Sequence, residues 1–464
     1  MFPVAIYTLG CKLNQLESEA LAASFRNAGF PLIPWGQTME GPGIIIVNTC
    51  TVTSKADQKA RRAIRKALRD NPACCVIAAG CYAELDGDDI ALLAADNGGT
   101  AGARRLFITA AGEGGAGSSK SALLRLPVYV REAMASGGVL NGDALPLILQ
   151  TWFCHESGDS PFSFKPDKFT FHSRGYLKIQ DGCNSACTYC RVRLARGPSR
   201  SLPRETALRE LLSFEESGCA ELMITGVNIS QYKNADCDLA GLLEYLLEGS
   251  NTIALRLSSL EPEGIDERLA ASLAHPRIRP HFHISVQSLS AAVLKKMGRV
   301  YSPEKVEEGA ALLRSVKDDP FLACDIIAGF PGESEAEFAR TLELCKKIRF
   351  AWIHAFPFSK RPGTDAFLFE GMCEREITQR IDELTSLALQ GRREYAQSWL
   401  GKELSAVAEK GKAPQGQCRS VSENYLKLLV NYTGRHPPSG STIRCVPVSL
   451  CEAGSECDAI AIMK

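Results

Sequence analysis

Residues 175–190 read Gly-Tyr-Leu-Lys-Ile-Gln-Asp-Gly-Cys-Asn-Ser-Ala-Cys-Thr-Tyr-Cys, and this stretch decides the fold. Its first half reads as a strand, and its second half places Cys183, Cys187 and Cys190 in one tight loop with C-x3-C-x2-C spacing. A strand that runs straight into such a loop belongs to parallel βα folds, which build their sites at the carboxyl ends of the strands. Cuboidal 4Fe-4S clusters usually take four cysteines, so three thiolates leave one iron open to a substrate or cofactor. Zinc would call for a fourth Cys or His at close spacing, and the loop contains none.

Outward from this loop the βα rhythm continues. Strands are expected at 175–180, 220–225, 253–258, 281–286, 322–327 and 351–356, with helical patterns between most of them. Six such units are too few to close an eight-fold barrel, and a partial parallel (βα)6 barrel over 169–398 is expected. Candidate loops follow these strands: Thr225-Gly226-Val227-Asn228, Ser258-Ser-Leu-Glu261-Pro262, Gln287-Ser288 and Ile327-Ala-Gly329-Phe-Pro-Gly332-Glu333. Taken singly, each is also an ordinary βα turn, with Gly for tight geometry and Ser or Glu as helix caps. Their order behind the cysteine loop favours a shared site.

Upstream, strands are expected at Pro3–Leu9, Ile44–Val47 and Cys75–Ala79, each followed within one to three residues by Cys11, Cys50 or Cys81. Helical stretches lie between them, from Gln15 to Ala28 and from a capping-box pattern at Ser54–Asp57 to Asn71-Pro72. An α/β βαβ parallel sheet over 1–110 would bring the three cysteines to one edge although they are far apart in sequence. Between 97 and 166 the signal weakens, and Gly112–Ser119 has linker composition. A loosely ordered linker or insertion with one or two helices is expected over 111–168. From about Gly401 short alternating segments (Leu404–Glu409, Tyr425–Val430, Thr442–Val448) suggest a small antiparallel β-barrel over 399–464.

The bulk numbers agree with this organisation. A chain of 464 residues exceeds one ordinary core, and 45% hydrophobic with 23% charged residues is a globular composition. Eighteen cysteines without an export signal point to metal or redox chemistry rather than disulfides, and a cytoplasmic location is expected. A net charge of zero gives no general support for nucleic-acid binding, so any RNA contact rests on local basic patches.

The three parts together resemble the radical S-adenosylmethionine (SAM) methylthiotransferases. These carry an N-terminal domain with three dispersed cysteines, a radical SAM barrel and a C-terminal RNA-binding barrel called TRAM. The resemblance covers roughly 1–95 and 170–464. It implies two 4Fe-4S clusters, one on Cys183, Cys187 and Cys190 and one on Cys11, Cys50 and Cys81. It also implies SAM bound near Tyr189, Gly226, Val227, Asn228, Ser258, Glu261, Gln287 and Gly329. Four segments look most like the branch that acts on N6-threonylcarbamoyladenosine beside the anticodon of tRNA: Thr8–Asn14, Val47–Thr53, Gly80–Ala83 and Ala195–Arg200. Ser359–Thr364 and Glu423–Lys427 fit the same pattern. Sister branches act on N6-isopentenyladenosine or on an aspartate of a ribosomal protein. One departure from the family pattern is Leu289, where a Gly usually follows Gln-Ser.

The resemblance further implies a transferase that replaces the C2 hydrogen of the adenine with a methylthio group, served by an electron donor of flavodoxin or ferredoxin type and a sulfur donor. Two basic patches are candidate contacts for a tRNA anticodon stem-loop: the helix with Lys55, Lys59, Arg61, Arg62, Arg65, Lys66 and Arg69, and the loop with Arg191, Arg193, Arg196, Arg200 and Arg204. The helix patch could equally be a solvated face.

Overall fold

The computed structural model describes residues 1–96, 102–109, 119–137, 144–155, 158, 160–452 and 454–464. The chain divides into two compact units. The first comprises 1–170 with 181–183 and 190–198; the second comprises 171–180, 184–189 and 199–464.

The first unit is built on a five-stranded parallel sheet: β1 (Val4–Thr8), β2 (Leu32–Ile33), β3 (Ile44–Thr49), β4 (Cys75–Gly80) and β5 (Leu106–Ile108), in the order β2-β1-β3-β4-β5. Ile44–Val47 is apolar without alternation because both faces of the sheet are covered. On one face α2 (Ser54–Asp70) lays down Ala60, Ala63, Ile64, Ala67 and Leu68. Its cap is Thr53, whose hydroxyl accepts from the Ala56 N–H at 3.2 Å, one residue before the expected Ser54–Asp57 box. The other face is covered by α1 (Lys12–Asn27) and by residues that the sequence reading left in a loose connection. Ala122, Leu123, Leu126, Val130, Leu145, Leu149 and Trp152 are buried in that core. The helices Leu126–Gly137 and Ala144–His155 are therefore structural parts of this unit. Each fully buried Leu among them contributes about 1.5–3 kcal/mol. Residues 112–118 of the linker-like Gly112–Ser119 run lie outside the described residues.

In the second unit the six expected strands all form: Gly175–Lys178, Glu221–Thr225, Ala254–Leu257, His281–Gln287, Phe321–Ala328 and Trp352–Pro357. They are parallel and make two three-stranded arcs, joined by bridges from Leu255 to Ile278 and from Leu260 to Ile284. The amino ends of the strands are pinned by Glu221. Its carboxylate takes Arg256 at 2.7 Å and Arg279 at 2.9 Å, with Arg174 at 3.5 Å. Burial would raise this carboxyl, but the guanidiniums reverse the effect and hold it at about 2. The carboxyl ends carry the loops.

The tail closes into a five-stranded barrel. It is antiparallel except where Lys427–Asn431 runs parallel to Ala459–Met463. Two of its strands, Gln417–Ser422 and Ala459–Met463, were not expected from the sequence. Cys418, Cys445 and Cys457 are buried residues of this barrel.

Candidate active site

Strand register sets the level of the three dispersed cysteines. β3 and β4 pair Thr49 with Gly80, so Cys50 and Cys81 leave the sheet side by side. β1 and β3 pair Thr8 with Asn48, which brings Cys11, the N-cap of α1, to the same edge. Gly10, at φ +95°, makes the approach possible: a Cβ there would stand 2.6 Å from the Cys50 Cβ and 2.7 Å from its Sγ. Burial pushes the Cys50 thiol up to about 12, and Cys11 and Cys81 add to the rise, which places the three thiols within electrostatic reach of one another. Burial also raises Cys81, against the pull of Arg196 and Lys120.

The loop triplet is held by a different set of contacts. Gly182, at φ +73°, admits no side chain, since a Cβ would lie 2.0 Å from the Pro198 carbonyl oxygen. The Cys183 N–H donates to the Gly197 carbonyl at 3.0 Å, and the Cys190 sulfur accepts from the Val192 N–H at 3.4 Å. In the second unit Arg299 donates to the Cys187 sulfur at 3.2 Å and ion-pairs with Glu261. Its Nε donates to the Tyr301 hydroxyl at 3.0 Å, and that hydroxyl donates to the Ser285 and Val286 carbonyls. Burial lifts the Glu261 carboxyl to about 7 even though Arg299 pulls it down. Sequence reasoning missed Arg299; nothing in its spacing sets it apart from other surface-type arginines.

The expected strand-end loops also take shape. Gly226 lies against Gln180, where a Cβ would meet Oε1 at 2.9 Å, and the Asn228 N–H donates to that same oxygen at 2.9 Å. The Asn228 side chain is buried, and its Oδ1 has no hydrogen-bond partner among the described residues. Val227 is half-buried beside it, and Ser258 is buried after the third strand. Gln287 adopts φ +60° at a register break, and Leu289, in place of the usual Gly, is fully buried in the core. The Gly329 N–H donates to Glu333 at 2.8 Å, and its φ of +75° with Ile377 only 2.5 Å from a Cβ position requires glycine. Tyr189 packs edge-on to Phe330 at 6.3 Å.

These residues fit iron–sulfur and SAM binding. Among the described residues no three Cys, His, Asp or Glu side chains converge on one metal-ion position. Cluster thiolates do not need to converge, because each binds a different iron. N–H donors on Cys187 and Cys190 are the kind of contact that sets cluster potential. The orphaned Asn228 oxygen is an acceptor waiting for a donor such as an amino group.

Two of the arginines expected to meet RNA do other work. Arg191 places both terminal nitrogens on Asp86 at 2.8 and 2.9 Å and also reaches Thr51. Arg196 is buried against Glu17, Asp181 and Asn14. Both guanidiniums are thus engaged by carboxylates of their own unit. Lys59, Arg62 and Arg193 are exposed, while Arg65 and Arg200 are half-buried. Arg61 donates to the Tyr82 hydroxyl, Lys66 and Arg69 pair with Asp70, and Arg204 pairs with Glu205.

A parallel barrel with a three-thiol loop at its carboxyl edge defines a radical SAM protein, and a model of the Radical SAM superfamily matches residues 177–345. A second model, described as uncharacterized protein family UPF0004, matches residues 3–97. The threonylcarbamoyladenosine tRNA methylthiotransferase MtaB of Treponema pallidum is 38% identical over 96% of this chain and 98% of its own length. The enzyme of that name from Thermotoga maritima is 35% identical over 92% of this chain and 91% of its own. The tRNA-2-methylthio-N(6)-dimethylallyladenosine synthase of a Wolbachia species is 28% identical over 87% and 86%. The chain belongs to the radical SAM methylthiotransferase family. Membership implies a 4Fe-4S cluster and SAM. Among the described residues no helix is long and apolar enough to cross a membrane.

Proposed function

We propose that this enzyme methylthiolates C2 of N6-threonylcarbamoyladenosine at position 37 of tRNA, giving 2-methylthio-N6-threonylcarbamoyladenosine. The observation that carries this reading is the near full-length match to a threonylcarbamoyladenosine tRNA methylthiotransferase at 38% identity, above the 28% to a dimethylallyladenosine enzyme. Two separate three-thiol sets support it, since one serves radical generation and the other can carry sulfur.

Cys183, Cys187 and Cys190 hold the cluster that binds SAM, and Cys11, Cys50 and Cys81 hold a second one. When bound, these groups supply the electron, the radical that takes the C2 hydrogen, and the methyl and sulfur that replace it. The C2–H bond is too weakly acidic for a side-chain base, so the protein's own part is to bind, orient and keep the site dry. Asn228, Gly226, Ser258, Glu261, Gln287 and Gly329 form the SAM cradle, with Tyr189 packed beside it. The adenine leaves its stack to reach the strand ends, and exposed Lys59, Arg62 and Arg193 meet the tRNA backbone. The C-terminal barrel binds RNA as other small barrels do. A reductant of flavodoxin or ferredoxin type and a sulfur donor complete the set of partners, in the cytoplasm.

The test is nucleoside mass spectrometry after anaerobic reconstitution, with SAM, reductant and sulfide and with tRNA bearing either modified adenosine. Methylthiolation of the threonylcarbamoyl form is expected. Methylthiolation of only the isopentenyl form overturns the substrate assignment.

A further inference from the structure

Within the first unit, a continuous chain of buried polar contacts runs from the dispersed cysteines to the segments that flank the cysteine loop. Asn14 donates to the Leu9 carbonyl at 2.7 Å and the Thr49 carbonyl at 2.9 Å, the backbone just ahead of Cys11 and Cys50. Thr49 continues the chain, donating to the Ala79 carbonyl at 2.7 Å and accepting from the Ala83 N–H at 3.1 Å, on either side of Cys81. The three cysteine-bearing strand ends are thus cross-linked by two neutral side chains.

Arg196 joins this web to the loop. It stands six residues after Cys190 at the end of the short helix Val192–Arg196. One terminal nitrogen donates to Glu17 at 3.0 Å and to Asp181 at 3.2 Å, two residues before Cys183. The other donates to Asn14 at 3.0 Å and to Glu17 at 3.3 Å. Lys120, from the stretch after the linker-like run, closes the web by ion-pairing with Glu17 and donating to Asn48 at 2.8 Å. Lys120, Glu17 and Asp181 are almost wholly buried and Arg196 is nine-tenths buried, so none of these ions is screened by solvent. Lys120 and Arg196 each face a carboxylate, Glu17 or Asp181, so each of these buried charges has an opposite charge beside it.

We propose that Arg196 is a positioning residue whose planar fork sets the distance and orientation between the Cys11/Cys50/Cys81 edge and the Cys183 and Cys190 segments. This rests on the reading that both cysteine sets hold clusters. Sulfur carried at one set reaches a carbon activated at the other only if the two are held in fixed register, and a displacement of about 1 Å can cost on the order of a hundredfold in rate. Lysine preserves the charge but offers one point donor where Arg196 serves three acceptors.

The experiment compares wild type, Arg196→Lys and Arg196→Gln after reconstitution, by chain-bound iron, by the electron paramagnetic resonance spectrum of the reduced protein, and by methylthio product formed per 5′-deoxyadenosine. Arg196→Lys keeps the buried charge and so the fold, should Arg196→Gln fail to fold. Expected are wild-type iron in Arg196→Lys, an altered spin–spin interaction between the two reduced clusters, and a product ratio lower by about ten- to a hundredfold. Unchanged interaction and ratio at full iron content overturn the proposal. A loss of product that only follows loss of iron, at constant ratio, overturns it as well. Wild-type protein with only one cluster overturns both the proposal and the two-site reading beneath it.

Discussion

The two cysteine sets are assembled by opposite routes. Cys183, Cys187 and Cys190 are neighbours in sequence, in one loop shaped by Gly182 at φ +73° against Pro198, by the Cys183 N–H on the Gly197 carbonyl and by the Val192 N–H on the Cys190 sulfur. Cys11, Cys50 and Cys81 are gathered by the register of β1, β3 and β4 and locked by Asn14 and Thr49. The first site depends on a short peptide, the second on a folded sheet. A site of the second kind exists only while its unit is folded and tolerates little change in the strands that bear it.

The largest effect that divides the two sets is on turnover. Cys187→Ser should abolish both 5′-deoxyadenosine and methylthio product. Cys50→Ser should abolish product while SAM cleavage continues. Chromatography of deoxyadenosine beside nucleoside mass spectrometry separates the two, and loss of both activities in each variant would break the comparison.

A smaller effect lies in the barrel base that presents the loops. Glu221→Gln leaves three guanidiniums around a neutral amide and should cost about 3–5 kcal/mol, read by denaturant unfolding. The carboxyl is held at about 2, below its ordinary 4.5. Its contribution is therefore full above about pH 4.5 and is lost as pH falls from there through about 2. Wild type should lose stability across that window faster than Glu221→Gln. Parallel acid profiles for the two would contradict the ion cluster.

Two glycines sharpen the contrast at about 1–3 kcal/mol each, the cost of a left-handed backbone at a non-glycine residue. Gly10→Ala brings a methyl to 2.6 Å from the Cys50 Cβ and should empty the sheet-edge site of iron. Gly182→Ala meets the Pro198 oxygen and should empty the loop site. Mössbauer spectra after reconstitution would show which cluster is lost. The smallest effect is at the exposed face of α2. Lys59→Ala and Arg62→Ala should each weaken tRNA binding and lower the slope of affinity against salt by about one, measured by filter binding.

How much the sequence disclosed follows the same division. Spacing alone singled out the loop triplet, and regular βα alternation placed all six barrel strands. The sheet-edge cysteines were legible only through the rule that parallel strands end together. Arg299, and the web from Asn14 to Arg196, were not legible, because their partners lie 38 and 182 residues away and share no pattern with them. Basic composition near the loop suggested phosphate contacts for Arg191 and Arg196; their carboxylate partners come from other elements and took both. The helices of 126–155 were undervalued because the Gly- and Ser-rich run before them dominates the local composition. Strand Gln417–Ser422 buries Cys418, Ser420 and Ser422, and small polar inward residues give no hydrophobic alternation to read.

The most direct test of two cluster sites of different construction is iron and sulfide analysis with Mössbauer spectroscopy on wild type and on two triple variants, Cys11/Cys50/Cys81→Ala and Cys183/Cys187/Cys190→Ala. Wild type should hold about eight irons per chain and each variant about four, with distinct spectra that sum to that of wild type. Four irons in wild type, all lost in one variant and none in the other, would contradict the account.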